Sequence, residues 1–212
     1  MQIVNYILVF KILFISFLLA SLTISVACFF SKNGTPWCFI TFLKEQFAFD
    51  IKQVGSFAWV PFLFAAMGSL IGGYYSSNQI RKGRQPVHAR KKAITIGSTI
   101  MLVALGAIVY HLNDLKEHIN FTIALISVTL LGFQFIIGNL QTLPSDYFNG
   151  KNVGTVAGMG GTATVIGTLK TTLLVPILTK TNYKSFFILA AVMVPLAWIC
   201  ITFITSKKKS IL

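Results

Sequence analysis

The length of its apolar runs constrains this chain more than any other feature. A helix needs about 20 mostly apolar residues to cross the hydrocarbon core of a bilayer. Six stretches reach that length, at about residues 3–43, 57–75, 93–111, 119–140, 153–178 and 186–205. Water is absent from the bilayer core, so backbone groups there must pair within the protein. The expected fold class is therefore all-α: an integral membrane six-helix bundle. Composition agrees, with 55% hydrophobic and only 11% charged residues. A soluble domain carries about 25% charged residues.

The first stretch is irregular. It is apolar from Ile3 to Phe30, breaks at Ser31-Lys32-Asn33-Gly34 and Pro36, and is apolar again to Leu43. Asn-Gly followed closely by Pro disrupts a helix. One reading is a single interrupted span whose polar break faces protein or a water-filled cavity. Residues 1–19 then extend the first span of a domain covering 20–212. The other reading is two tightly joined spans. "SVAC", ending at Cys28, resembles a lipoprotein cleavage site. The absence of a cation before Lys11 and the length of the apolar run argue against that reading.

The formal net charge is +13, which in a soluble protein would point to nucleic acid. Here the cations sit in short blocks between apolar runs, the pattern of a topology signal. No nucleic-acid partner is expected. The loop after the second span holds Arg81, Lys82, Arg84, Arg90, Lys91 and Lys92, and the C-terminal tail holds Lys207, Lys208 and Lys209. With this span count both lie on one side, joined by Lys151. The other side has Lys44, Lys52, Lys116, Lys180 and Lys184, offset by Glu45, Asp50, Asp114 and Glu117. The positive-inside rule then places both termini in the cytoplasm of a multi-pass protein in the cell (inner) membrane. Splitting the first stretch would move only the N-terminus outside.

Nothing in the sequence points to bond-making chemistry. Cys28, Cys38 and Cys200 are scattered through apolar runs, a spacing that fits neither a metal site nor a disulfide framework. No P-loop, dinucleotide fingerprint or nucleophile elbow is present. His88, His111 and His118 fall in loops or at helix ends. No cofactor, no metal and no enzyme activity are expected.

Two blocks carry a resemblance. The first is "GSFAWVPFLFAAMGSLIGGYYSSNQIRKGRQPVHARKKAITIGS" and the second is "LPSDYFNGKNVGTVAGMGGTATVIG". They resemble the eighth-to-ninth and tenth-to-eleventh helix regions of major facilitator transporters. Within that superfamily they are most similar to the anion:cation symporters, such as hexuronate and galactonate carriers. The resemblance covers about residue 20 to the C-terminus and implies the C-terminal six-helix half of such a carrier. It implies symport of an organic anion, such as a sugar acid, with H+ or Na+ by alternating access. In that family the proton-coupling carboxylate and the substrate-binding arginine belong to the N-terminal half, and no span here carries an Asp or Glu well inside the membrane. A separately encoded N-terminal half or a second copy would then complete the carrier. The alternatives are a gene fragment and a non-transporting membrane assembly or interaction protein. Where the family has S-D-R, this chain has Ser76-Ser77-Asn78, which puts the cytoplasmic charge lock in doubt.

Polar residues within spans are the substrate-binding candidates, because leaving them in lipid is costly. They are Asn33 and Lys32 at the break, with Trp37 beside it, Gln134 and Asn139 in the fourth span, and Lys170 in the fifth. Trp37 could stack on a sugar face or anchor the interface. Lys170 could meet an anion or snorkel outward. Gln134 and Asn139 could bond substrate or a neighbouring helix. Gly72 and Gly73 are expected to end the second span, packing a neighbour and helping the turn. Gly154, Gly158 and Gly161 lie near one helical face and suit packing or gating contacts. Arg81, Lys82 and Arg84 are expected to anchor the cytoplasmic side, cap helix ends or meet anionic headgroups.

Overall fold

The computed structural model describes residues 50–111, 119–147, 153–155, 157–162, 165–166, 169 and 183–204. Five helices are defined: α1 (Ile51–Arg81), α2 (Pro86–Tyr110), α3 (Ile119–Gln141), the short α4 (Leu143–Tyr147) and α5 (Tyr183–Ile204). The described residues between 153 and 169 are helical, and no strand occurs among the described residues. Three segments are long and apolar enough to cross a membrane: Gly55–Arg81, Pro86–Tyr110 and Ile119–Asp146. The all-α expectation holds. The first span with its break, and the lysine tail, lie outside the described residues.

Helices α1 and α2 extend past the apolar windows that announce them. Gly72 and Gly73 do not end α1, which continues to Arg81. The Ser76 hydroxyl donates to the Gly73 carbonyl one turn back, so this buried polar side chain is satisfied within its own helix. The turn comes at Gly83 instead, with φ of 81°. Gly83 N–H donates to Ile80 O at 2.9 Å and Arg84 N–H to Gln79 O at 3.2 Å. This is a Schellman motif, in which a left-handed glycine closes the last carbonyls of a helix. Pro86 then opens α2 at its first turn, where a missing N–H costs nothing. Arg90, Lys91 and Lys92, expected in a loop, therefore sit in the opening turns of α2.

Contacts between helices give their directions. Gly68 meets Leu131 and Gly72 meets Phe135, so α1 and α3 run parallel. Gly97 meets Gly132 and Ile136, while Met101 also reaches Gly132, so α2 is antiparallel to α3. Thr95 bonds Trp198, and Gly106 and Val109 face residues 188–195, so α5 is antiparallel to α2. The C-terminal ends of α1, α3 and α5 thus gather at one end with the start of α2.

The core joins α2, α3 and α5. Met101, Leu105 and Ile108 of α2 interlock with Ile126 and Ile136 of α3 and with Phe187, Val194 and Ile201 of α5. Buried hydroxyls bond inside their own helices: Ser127 donates to Ile123 O at 2.7 Å and Thr129 to Leu125 O at 2.9 Å. That is how polar side chains survive in a medium without water.

Close approach depends on missing side chains. A Cβ on Gly68 would overlap the Leu131 carbonyl and stand 2.9 Å from its Cα. A Cβ on Gly97 would stand 2.9 Å from the Gly132 carbonyl, and one on Gly132 would stand 2.9 Å from the Gly97 carbonyl. A Cβ on Gly73 would meet nothing within 4 Å. Gly68→Ala is expected to lower unfolding free energy in detergent by about 2 kcal/mol through forced separation of backbones. Gly73→Ala is expected to be neutral or to stabilise by up to about 1 kcal/mol through helix propensity. Titration with a denaturing detergent, followed by circular dichroism, checks both.

Candidate functional site

The α1–α3 seam is built from three small residues one turn apart. Gly68, Gly72 and Ser76 lie on one face of α1 and are all buried. Small residues at this spacing let two backbones touch. On α3 the matching positions are Leu131, Phe135 and Asn139, also four apart. Asn139 is 1% exposed. Its Nδ2 donates to the Gly72 carbonyl at 3.1 Å and to the Phe135 carbonyl at 2.9 Å. The amide therefore bridges the two helices. Its Oδ1 is buried with no hydrogen-bond partner among the described residues. Reversing the amide would aim oxygen at two carbonyls, so the network fixes its orientation.

An ion pair closes the end where α1 finishes. Arg90 Nε on α2 donates to Asp146 Oδ2 on α4, with side chains 17% and 13% exposed. The junction that presents Asp146 is held locally. Thr142 Oγ donates to Asn139 O at 2.9 Å, and Ser145 Oγ donates to Thr142 O at 2.7 Å. Pro144 falls in the first turn of α4, where a proline fits. Ala89 and Ala93, on either side of Arg90 in sequence, are both 0% exposed. Further along α2, Trp198 Nε1 of α5 donates to Thr95 Oγ1 at 3.0 Å, and Thr95 Oγ1 donates to Lys91 O at 3.0 Å.

The structure places the expected site residues unevenly. Asn139 meets a helix backbone, and Gln134 is half-buried on α3. Gly72 packs with a Cβ position 3.0 Å from Phe135, while Gly73 faces open space. Gly154, Gly158 and Gly161 are exposed, and a Cβ on any of them meets no neighbour within 4 Å. The close packing expected on that face is not made among the described residues, because no neighbouring backbone comes near enough to need it. Arg81, Lys82 and Arg84 are exposed at the α1–α2 turn. Lys32, Asn33, Trp37 and Lys170 lie outside the described residues.

Sequence reasoning missed Arg90, Asp146, Gly68, Gly97 and Gly132. Gly68 and Gly72 form a G-x-x-x-G that was open to view. The ion pair joins residues 56 apart, and no local pattern reports it.

The family model described as Major Facilitator Superfamily matches residues 8–211. The chain belongs to the Major Facilitator Superfamily. It is a multi-pass membrane protein of a family of transport proteins, not enzymes. It is 32% identical over 123 residues to the hexuronate transporter of Escherichia coli K12, covering 57% of this chain and 27% of that protein. It is 33% identical over 69 residues to the probable L-galactonate transporter of the same strain, covering 31% and 15%. It is 24% identical over 137 residues to the probable sulfoacetate transporter SauU of Cupriavidus necator, covering 63% and 30%. The chain thus spans less than a third of the length of these curated relatives. No solved structure matches it.

A partly buried pair should couple more strongly than the roughly 0–1 kcal/mol of a surface pair. In a double-mutant cycle with Arg90→Ala and Asp146→Ala, the coupling energy is expected to be about 2 kcal/mol. Unfolding in detergent at two salt concentrations measures it. A buried pair keeps most of that coupling at high salt.

Proposed function

We propose that this bundle serves in transport of an organic carboxylate across the cell membrane, a sugar acid such as hexuronate or galactonate first among the candidates. The observation that carries the reading is the family match over residues 8–211, joined with relatives named for hexuronate, L-galactonate and sulfoacetate. Each of those named solutes is an organic carboxylate. Movement would be coupled to H+ or Na+. A second six-helix bundle would complete the path, supplied by the same polypeptide, by a separately encoded chain or by a second copy. Its task would include the coupling carboxylate, since the acids of this sequence are Glu45, Asp50, Asp114, Glu117 and Asp146, all outside the apolar windows.

The geometry supports a local role for several residues. The Arg90–Asp146 pair and the α1–α2 turn lie on the cytoplasmic side, as the cation count on that side favours. The pair replaces the lock that Ser76-Ser77-Asn78 lacks. Asn139 acts as a pin between α1 and α3. Gln134 is the described candidate for a contact with substrate, joined by Asn33, Lys32, Trp37 and Lys170. Alternating access would rock this bundle against its complement.

A second reading is a membrane assembly protein that moves nothing. The same observation favours it: no acid sits inside an apolar window of this chain.

Uptake of labelled glucuronate and galactonate into vesicles separates the two readings. Vesicles holding this chain with a complementary six-helix bundle are expected to accumulate label, driven by an imposed proton or sodium gradient. Accumulation equal to that of vesicles holding the complement alone would support the assembly reading. In active vesicles Gln134→Ala is expected to raise KM about tenfold, as for a lost hydrogen bond to a charged ligand. Asn139→Ala is expected to lower the maximal rate with little change in KM.

A further inference from the structure

The α1–α2 hairpin carries a feature that solute transport does not use. Its link is only four residues long, 82–85, and is closed by the Schellman bonds of Gly83 and by Pro86. The cations there are not on a floppy loop. Arg81, Lys82 and Arg84 are exposed at the tip, with His88 and Lys92 exposed on the first turns of α2. Asp146 is the acid that the fold brings to this end, and it is bonded to Arg90. The other four acids, Glu45, Asp50, Asp114 and Glu117, flank the opposite ends of these helices.

The outer face of α1 continues this tip upward. Leu70, Tyr74, Ser77 and Arg81 recur at the spacing of one helical face and are all exposed. Leu70 is 74% and Tyr74 71% exposed. Along one line the helix therefore passes from an aliphatic to an aromatic, then a hydroxyl, then a guanidinium group. That order matches a phospholipid read from acyl chain to headgroup. The surplus of fixed cations requires the headgroup to be anionic.

We propose that the α1–α2 hairpin holds an anionic phospholipid, with its phosphate against Arg81, Lys82 and Arg84 and its chain along Tyr74 and Leu70. The lipid would be a resident of the cytoplasmic leaflet. This inference is independent of the transport reading. It requires that α1 cross a membrane with its Arg81 end on the cytoplasmic side, the orientation proposed above.

The test uses the full chain in nanodiscs of phosphatidylcholine doped with phosphatidylglycerol, which present both lipids on both faces. A photoreactive phosphatidylglycerol is cross-linked and its adducts are mapped by mass spectrometry. Adducts are expected within residues 70–92. They should fall about tenfold in Arg81→Gln/Lys82→Gln/Arg84→Gln, and they should persist in the charge-keeping Arg81→Lys/Arg84→Lys. Circular dichroism confirms that each variant is helical, and the charge-keeping variant covers the case in which the neutral one fails to fold. Excess inorganic phosphate should leave the adducts in place, which separates a lipid from a free anion. Adducts confined to the Lys207–Lys209 tail, equal labelling by photoreactive phosphatidylcholine, displacement by phosphate, or adducts on the hairpin unchanged by the triple neutral variant would each overturn the proposal.

Discussion

The contact on which the rest depends is backbone against backbone between α1 and α3. Lipid tails are as apolar as leucine, so helices in a bilayer gain little from hiding apolar surface. They associate by close packing and by hydrogen bonds. Gly68 supplies the first of these, since the Leu131 carbonyl occupies the space its Cβ would take. The second follows from the first. Asn has a short side chain, and Asn139 reaches the Gly72 carbonyl at 3.1 Å because the two backbones are already touching. Gly97 and Gly132 repeat the arrangement between α2 and α3 with both partners reduced to glycine. Met101, Leu105 and Ile108 continue the same face of α2 beyond Gly97 and join the core shared with α3 and α5.

The fold was legible because it follows from one property, the apolar length of each run. Helices α3 and α5 fall close to their windows. The exceptions are α1, which outruns its window at both ends, and α2, which begins at Pro86, well before its window. Hydropathy reports where a chain can meet lipid, whereas the helix ends where the backbone is capped. Ser76, Ser77 and Asn78 look like a loop by composition, yet the cap waits for Gly83. The family resemblance was legible for a different reason. It rests on motifs such as "FAWVPF" and "LPSDYF", whose order along the chain is specific.

The site was less legible, and particular residues show why. Asn139 was visible as a polar residue in an apolar run, but whether it bonds substrate or helix depends on what lies across from it. Gly154, Gly158 and Gly161 carry the same spacing as Gly68 and Gly72, yet only the latter pair meets a neighbour among the described residues. Spacing shows that a close approach is allowed. It does not show that a helix has come to make it. The pairing of Asp146 in "LPSDYF" is not visible in the sequence, because its partner Arg90 lies 56 residues away.

The uneven spread of charge at this end bears on which helix can move. Helix α2 is tied to α4 by an ion pair, to α5 by Trp198 on Thr95, and to both α3 and α5 by the core. Among the described residues, α1 is tied to its neighbours by no ion pair. Its described links are the glycine seam, the Asn139 amide, the ring contact of Tyr75 with Phe135 and the packing of Ala58 on the core. A shift of α1 along α3 would break the Asn139 bond, disturb the Tyr75–Phe135 contact and part the backbones that touch at Gly68 and Leu131. A shift of α2 would break a partly buried ion pair and open the core. The two sides of the bundle are thus held differently: α1 sits on α3 by touching backbones and one buried amide, whereas α2 is held by a partly buried ion pair and the apolar core.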